Sequence, residues 1–243
     1  MRLFVVDEGH GRSVILVHGG LVTHRSVMLY AQPLLARYRL LMPDLRGSGA
    51  SVFRGALTWD DLADDIAELA HERGIARAVV GGASFGAAVA TRVALRHPAL
   101  VEALVGLQPA YGGAEMGLVP AQQAAMDAMN VAGQRTLVEG IGALLPLFDA
   151  LPEAIRERAK AIVAAYDPGS VAASTAFMAS GVQPFAAREL ETIDAPVLVV
   201  PGTDPTHPRE VAEVYARHVP RCTVVDTADY AAAITRFVDS LSR

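Results

Sequence analysis

Two residue types are almost missing from this 243-residue chain: it carries one cysteine, Cys222, and one lysine, Lys160. A single cysteine excludes an intrachain disulfide and any cysteine-built metal site. It lies in the apolar run Cys222-Thr223-Val224-Val225 and reads as a small buried hydrophobe. With lysine nearly gone, arginine carries the positive charge, and no Lys/Arg cluster forms. Together with the net charge of −5, this argues against a nucleic-acid partner. No apolar stretch is long enough to span a membrane. The stretch Met1 to Glu8 lacks the apolar core and cleavage site of a signal peptide, so a cytoplasmic protein is expected. Internal repeats and low-complexity segments are absent too. What is there is apolar: 52% of residues are hydrophobic and 19% charged, which suits a globular chain with a sizeable core.

Short apolar runs alternate with helical segments, the pattern of a mostly parallel sheet covered on both faces, an α/β fold. Strands are expected at Leu3–Val6, Ser13–Val17, Arg39–Met42, Ala78–Gly81, Val101–Leu107, Pro196–Val200 and Cys222–Val225. Helices are expected at Ser26–Arg37, Trp59–Arg73, Phe85–His97, Arg209–His218 and Ala231–Leu241. Thr58, three residues before Asp61, is a candidate N-cap for the second helix, and Gly74 a candidate C-cap. From about Gly112 to Ile193 no strand is evident, only helical patterning broken by Pro120, Pro146, Pro152, Pro168 and Pro184. The expected division is a core of residues 1–111 and 190–243, with 112–189 an inserted helical lid and return helix. Met116, Met126, Met129, Leu137, Leu144, Leu145, Leu147 and Phe148 are read as lid core, with an apolar pocket lining as the alternative.

The most informative feature is Gly82-Ala83-Ser84-Phe85-Gly86, between an apolar run and an alanine-rich helical stretch. A G-x-S-x-G sequence between strand and helix reads as a nucleophile elbow, where a serine sits on a strained turn with its hydroxyl clear of the sheet. The flanking glycines let strand and helix approach closely. Three further segments fall at strand C-termini, where open α/β sheets place their sites. They are Val17-His18-Gly19-Gly20, Pro43-Asp44-Leu45-Arg46-Gly47-Ser48-Gly49, and Pro201-Gly202-Thr203-Asp204-Pro205-Thr206-His207-Pro208. In the first, flexible glycines can aim a backbone N–H at a developing oxyanion, with the N–H of Phe85 as second donor.

In order and spacing these four elements resemble the α/β-hydrolase superfamily, of the lid-bearing, esterase-like kind, over nearly the whole chain. The resemblance implies a Ser–Asp–His triad in that chain order. It matches Ser84 to the nucleophile, Asp204 to the acid, and the N–H groups of Gly20 and Phe85 to the oxyanion hole. His18 matches a position that shapes the oxyanion loop. The family's base stands on the loop after the last strand. Here that loop reads Val225-Asp226-Thr227-Ala228-Asp229-Tyr230, and no histidine follows His218.

Of the seven histidines, only His207 is both past the nucleophile and on a loop at the expected site. His10 lies in an early turn, while His71, His97 and His218 lie at helix C-termini, where positive charge is favoured. His24, with His18 and Tyr111, is a candidate pocket residue, with a surface role as its alternative. Two catalytic arrangements use His207. In one it turns back to bridge Asp204 and Ser84; in the other Asp229 or Asp226 orients it. A third option is that His207-Pro208 only opens the following helix, and Asp204 has the parallel option of stabilising an Asx-type turn.

The acidic cluster Asp60, Asp61, Asp64 and Asp65 reads as a solvated face, because no histidine stands at ligand spacing. Gly47-Ser48-Gly49 lacks the lysine of a phosphate-binding loop, and Gly81-Gly82 begins no dinucleotide fingerprint. No metal or cofactor is expected. The expected function is a serine hydrolase acting through an acyl-enzyme on Ser84, on small, largely apolar ester or lactone substrates. The alternative is a degenerate or repurposed member that binds a small ligand or performs cofactor-free C–C or lyase chemistry. The expected partner is a small molecule, not nucleic acid or membrane, and a homodimer is an open option.

Overall fold

The structure, a computed structural model, describes residues 1–149 and 153–241; Pro152, one of the expected helix breaks, lies outside them. The chain begins with strands β1 (Val5–Gly9) and β2 (Arg12–Val17), then helix α1 (His24–Ala31). Strand β3 (Tyr38–Pro43), helix α2 (Trp59–Glu72), strand β4 (Ala78–Ala83), helix α3 (Phe85–Arg96) and strand β5 (Val101–Leu107) follow. Helices α4 (Pro120–Glu139), α5 (Glu153–Val163) and α6 (Pro168–Ala179) come next, before β6 (Val197–Val200), α7 (Arg209–His218), β7 (Cys222–Val224) and α8 (Tyr230–Ser240).

The seven strands form one sheet in the order β1-β3-β2-β4-β5-β6-β7. All neighbours run parallel except β1, which pairs antiparallel with β3. The pleat sorts each strand's side chains into two cores. Ile15, Val17, Leu41, Val80, Leu104 and Val199 meet α2, α3 and α7 on one face. Val14, Leu16, Leu40, Met42, Val79, Val105 and Val200 meet α1 and α8 on the other. Strands buried on both sides explain why these runs are continuously apolar.

Some local expectations change. The first helix, expected as one piece to Arg37, stops at Ala31 and gives way to a 3₁₀ turn, Gln32–Ala36. Pro33 lacks the N–H that would continue the α-helical ladder. Strand β1 starts two residues later than expected because its ladder with β3 pairs Val5 with Pro43. Thr58 does cap α2, accepting from the Asp61 N–H at 3.0 Å. The acidic cluster is not merely a solvated face. Asp65 is buried, and its carboxylate receives Arg46 Nε at 2.6 Å and Nη2 at 2.8 Å. Asp60 and Asp64 pair with Arg92, Arg96 and His97 on α3 and at its end, so this face staples two helices together.

Between β5 and β6 the described residues form helices and turns only. Part of this segment has its own small core, with Ala132, Leu144, Val163 and Val171 at its centre and Leu145, Leu147 and Phe148 packed against them. Met126, Met178 and Phe185 belong instead to the main core. Leu137, expected in the lid core, is 58% exposed.

Candidate active site

Strand β4 ends at Ala83 and α3 begins at Phe85, leaving Ser84 alone between them at φ 55°, ψ −117°. A non-glycine residue there costs about 1–3 kcal/mol and persists only where the surroundings enforce it. The enforcement is visible. The Ser84 N–H donates to Leu107 O at 2.9 Å, tying the turn to β5, and its carbonyl accepts from the Ala87 N–H at 3.1 Å. A Cβ on Gly82 would strike the Gly86 backbone, and one on Gly86 would strike the backbone of Val17 and His18. Only glycines let the turn close this sharply.

The Gly19-Gly20 loop lies directly over the elbow. A Cβ on Gly19 would stand 3.5 Å from Ser84 Cβ, and one on Gly20 would stand 3.9 Å from Phe85 Cβ. Phe85 opens α3, so its N–H has no intrahelical carbonyl to serve. His18 holds this loop from beneath. It is 1% exposed, its Nδ1–H donates to Gly19 O at 2.7 Å, and its Nε2 accepts from the Leu45 N–H at 3.0 Å. That pairing selects one neutral tautomer, and burial pushes the imidazole below its ordinary pKa. His18 thus braces two loops and has no nitrogen left for proton transfer.

The loop after β6 brings the remaining groups to the serine. His207 Nε2 stands 2.9 Å from Ser84 Oγ. On the other side of the ring, Nδ1 stands 2.9 Å from Asp204 Oδ2 and 3.1 Å from Oδ1. Three-residue spacing suffices because the chain folds into a tight turn in which the His207 N–H donates to Asp204 O at 3.0 Å. Within it, Asp204 Oδ1 accepts from Thr206 N–H at 2.8 Å and Thr206 Oγ at 2.6 Å. One carboxylate oxygen is therefore anchored by the turn and the other faces the imidazole. Burial acts to raise the Asp204 carboxyl, but the bonds from Thr206 and His207 outweigh it and hold the group below its ordinary pKa. Asp204 stays ionised, and an Nδ1–H aimed at it leaves Nε2 to accept from the serine hydroxyl.

The two alternative acids are elsewhere. Asp226 is engaged by the Arg209 guanidinium. Asp229 caps α8, accepting from the Ala232 N–H at 2.9 Å. Neither reaches His207, because the loop after β7 faces the ends of α7 and α8. The option that His207-Pro208 only opens a helix is also incomplete: Pro208 does precede α7, yet the His207 ring points back to Ser84. His24 is half-buried, not a surface residue, and its Nδ1 lies 2.7 Å from Asp44 Oδ1. Asp44, 1% exposed, also accepts from the backbone of His24 and Ala50. This pair organises the two loops beside Gly19 and Gly20 and does not touch Ser84. Tyr111 is buried, with its hydroxyl toward Met126 Sδ at 3.8 Å, and burial raises its phenol.

Several residues around the serine carry no motif and were missed in the sequence. Trp59 centres an aromatic cluster, with ring centroids 4.8 Å from Phe85, 5.1 Å from Tyr111 and 5.0 Å from Phe177. The Met178 thioether occupies the space a Gly20 Cβ would need, closing over the Gly19-Gly20 loop. A Cβ on Gly202 would also collide with His207, so this glycine, which unlike them is marked by its place in Pro-Gly-x-Asp, permits the His207 turn. Among the described residues no cluster of three metal-ligating side chains occurs. A groove of about 760 Å³, lined by residues such as Glu102, Pro196 and Cys222, lies at the opposite, N-terminal ends of the strands and holds none of these groups.

A doubly covered parallel sheet with a strained serine at a strand-to-helix turn defines the α/β-hydrolase class. The match to known proteins agrees: the alpha/beta hydrolase family model spans residues 14–233, and the chain belongs to that family. It is 35% identical over 100 residues to an AB hydrolase superfamily protein, YisY, of Bacillus subtilis, covering 40% of this chain and 37% of that one. It is 40% identical over 108 residues to a pimeloyl-[acyl-carrier protein] methyl ester esterase of Sodalis glossinidius, covering 43% and 40%. The matched stretches thus span well under half of these relatives. A thermophilic esterase from Thermogutta terrifontis superposes over 99% of this chain and 94% of its own, with TM-score 0.81 and 25% identity. No helix among the described residues is long and apolar enough to cross a membrane.

Proposed function

We propose that the protein is a serine hydrolase of small, largely apolar carboxylic esters or lactones. The observation that carries this reading is the unbroken hydrogen-bond chain Ser84–His207–Asp204, at 2.9 Å for each link. His207 Nε2 takes the Ser84 proton as Oγ attacks the carbonyl, and the N–H groups of Gly20 and Phe85 receive the developing oxyanion. The imidazolium, held in place by Asp204, returns the proton to the leaving alcohol. The same imidazole then activates the water that hydrolyses the acyl-enzyme. Base and acid come from a single turn after β6, and this supports catalysis where the missing histidine after β7 had favoured a binding protein.

The substrate class follows from the surroundings. Trp59, Phe177, Met178 and Tyr111 offer apolar contact and no cation for a charged acid. We assign residues 112–189 as the lid that carries part of this wall. The esterase relatives point the same way. Incubation with a small fluorophosphonate, followed by intact mass and peptide mapping, tests the reading. A stoichiometric adduct on Ser84, absent in His207→Ala, is expected. A folded protein that takes no label and hydrolyses no para-nitrophenyl ester overturns it.

A further inference from the structure

The triad proposed above draws acid and base from one four-residue turn on the surface side of β6, and such a turn needs an external brace. Asp204 is among the exposed residues and the His207 side chain is 21% exposed, so packing alone does not hold the turn. Besides Ser84, a second side chain from a distant part of the chain reaches it. Gln122, in the first turn of α4, is 1% exposed, and its Nε2 donates to Thr206 O at 3.0 Å and to Ala110 O at 2.6 Å. Its Oε1 accepts from the Val119 N–H at 3.0 Å. A buried amide with both N–H bonds given to carbonyls of two other loops is costly to replace, because those carbonyls would lose their donors.

The geometry matters because of which peptide is held. Thr206 O belongs to the peptide unit that leads into His207. Its opposite edge, the His207 N–H, donates to Asp204 O at 3.0 Å and approaches Asp204 Oδ1 at 3.1 Å. The Thr206–His207 peptide is thus pinned on both edges, by Gln122 and by Asp204. That fixes the Cα from which the imidazole springs. The second Gln122 bond, to Ala110 O, sits beside Tyr111, whose ring contacts Trp59, while Trp59 stacks against Phe85 at the elbow. We propose that Gln122 is the positioning residue of this site: it sets the His207 turn in register with the serine elbow and links the helical insertion to the triad. This rests on the serine-hydrolase reading.

The test uses the full chain and three variants. Gln122→Met keeps the volume and removes every hydrogen bond, whereas Gln122→Glu keeps the acceptor for Val119 and removes both donated bonds. Thr136→Val is the control, a buried polar residue on the same helix whose hydroxyl donates to Gly133 O and Pro168 O, far from the turn. With para-nitrophenyl acetate, both Gln122 variants should lose about 10- to 100-fold in kcat with KM nearly unchanged, the size expected for a base displaced by roughly 1 Å. Ser84 labelling by fluorophosphonate should slow in parallel, while Thr136→Val loses thermal stability and keeps kcat. A second readout is the downfield proton resonance of the His207 Nδ1–H, assigned by its loss in His207→Gln. It should broaden or move in Gln122→Met and stay in Thr136→Val. Gln122 variants that retain kcat, or leave that resonance unmoved in a folded protein, overturn the proposal. Absence of any Ser84 adduct in the wild type instead sinks the underlying reading, and the resonance still decides the role of Gln122.

Discussion

Replacing Gly202 by alanine should cripple the site through a single methyl group. The new Cβ would stand 2.9 Å from the His207 carbonyl carbon, and closer still to that residue's carbonyl oxygen and Cβ, where ordinary contact begins at 3.4 Å. The atoms struck are backbone and Cβ, so no side-chain rotation relieves the clash. The turn must move by at least half an ångström at the carbonyl and further at the imidazole, roughly 1 Å in all. His207 Nε2 begins at 2.9 Å from Ser84 Oγ, so such a shift carries the pair beyond hydrogen-bond range. Misplacement on that scale costs about 100-fold, and an imidazole held in the wrong tautomer or orientation about 10,000-fold. We therefore expect kcat to fall by about 100- to 10,000-fold, equivalent to about 3–5 kcal/mol on the barrier. The overpacking itself should cost about 1–3 kcal/mol of stability, a loss of several degrees in Tm for a chain of this size. Initial rates on para-nitrophenyl acetate, normalised to folded protein, give the result. Gly142→Ala is the control, since a Cβ there meets nothing within 4 Å. A Gly202→Ala protein with kcat within about threefold of the wild type would refute the argument that this glycine makes room for a catalytic His207.

Other consequences follow from the same geometry. Asp204→Asn should lower kcat by about 1,000-fold or more, because the amide favours the wrong imidazole tautomer. Asp226→Asn and Asp229→Asn should leave kcat nearly unchanged, and steady-state rates separate the two outcomes. Met178→Ala removes the thioether above Gly20, so kcat/KM for butyl over acetyl esters should rise, at a stability cost of about 2–5 kcal/mol. An unchanged chain-length preference would show that Met178 does not bound the pocket. Arg96, and after it His97, hold the Asp64 carboxyl down at about 2. Its contribution to stability is thus present above the ordinary carboxylate pKa and lost as pH falls toward about 2. The side chain is 45% exposed, so screening limits this to under about 1 kcal/mol. Asp64→Asn should flatten the Tm profile between about pH 4 and 2 and lower Tm slightly near neutrality, where the ionised Asp64 stabilises the fold.

Strand runs, the order of helices and the serine elbow were all legible in the sequence because each is a local pattern. Continuous Val/Ile/Leu runs follow from burial on both faces of the sheet, and G-x-S-x-G follows from the space around one turn. Asp204 and His207 were legible as residue types on the right loop. Their arrangement was not, since a three-residue separation is compatible with several turns and only the packed turn aims the ring at Ser84. Gln122 and Trp59 sit in segments with no motif, and their contacts run across 84 and 123 residues of chain. Sequence also suggested a solvated acidic face at Asp60 to Asp65, whereas Arg46, Arg92 and Arg96 arrive there only when the chain is folded.

By itself, then, the sequence determined the sheet, the family and the serine elbow, because periodicity and turn chemistry act between neighbours. The tertiary structure decided which imidazole faces the serine, which carboxylate holds it and what covers the Gly19-Gly20 loop. Those choices depend on distances between loops that are far apart in the chain, and only the assembled sheet sets those distances.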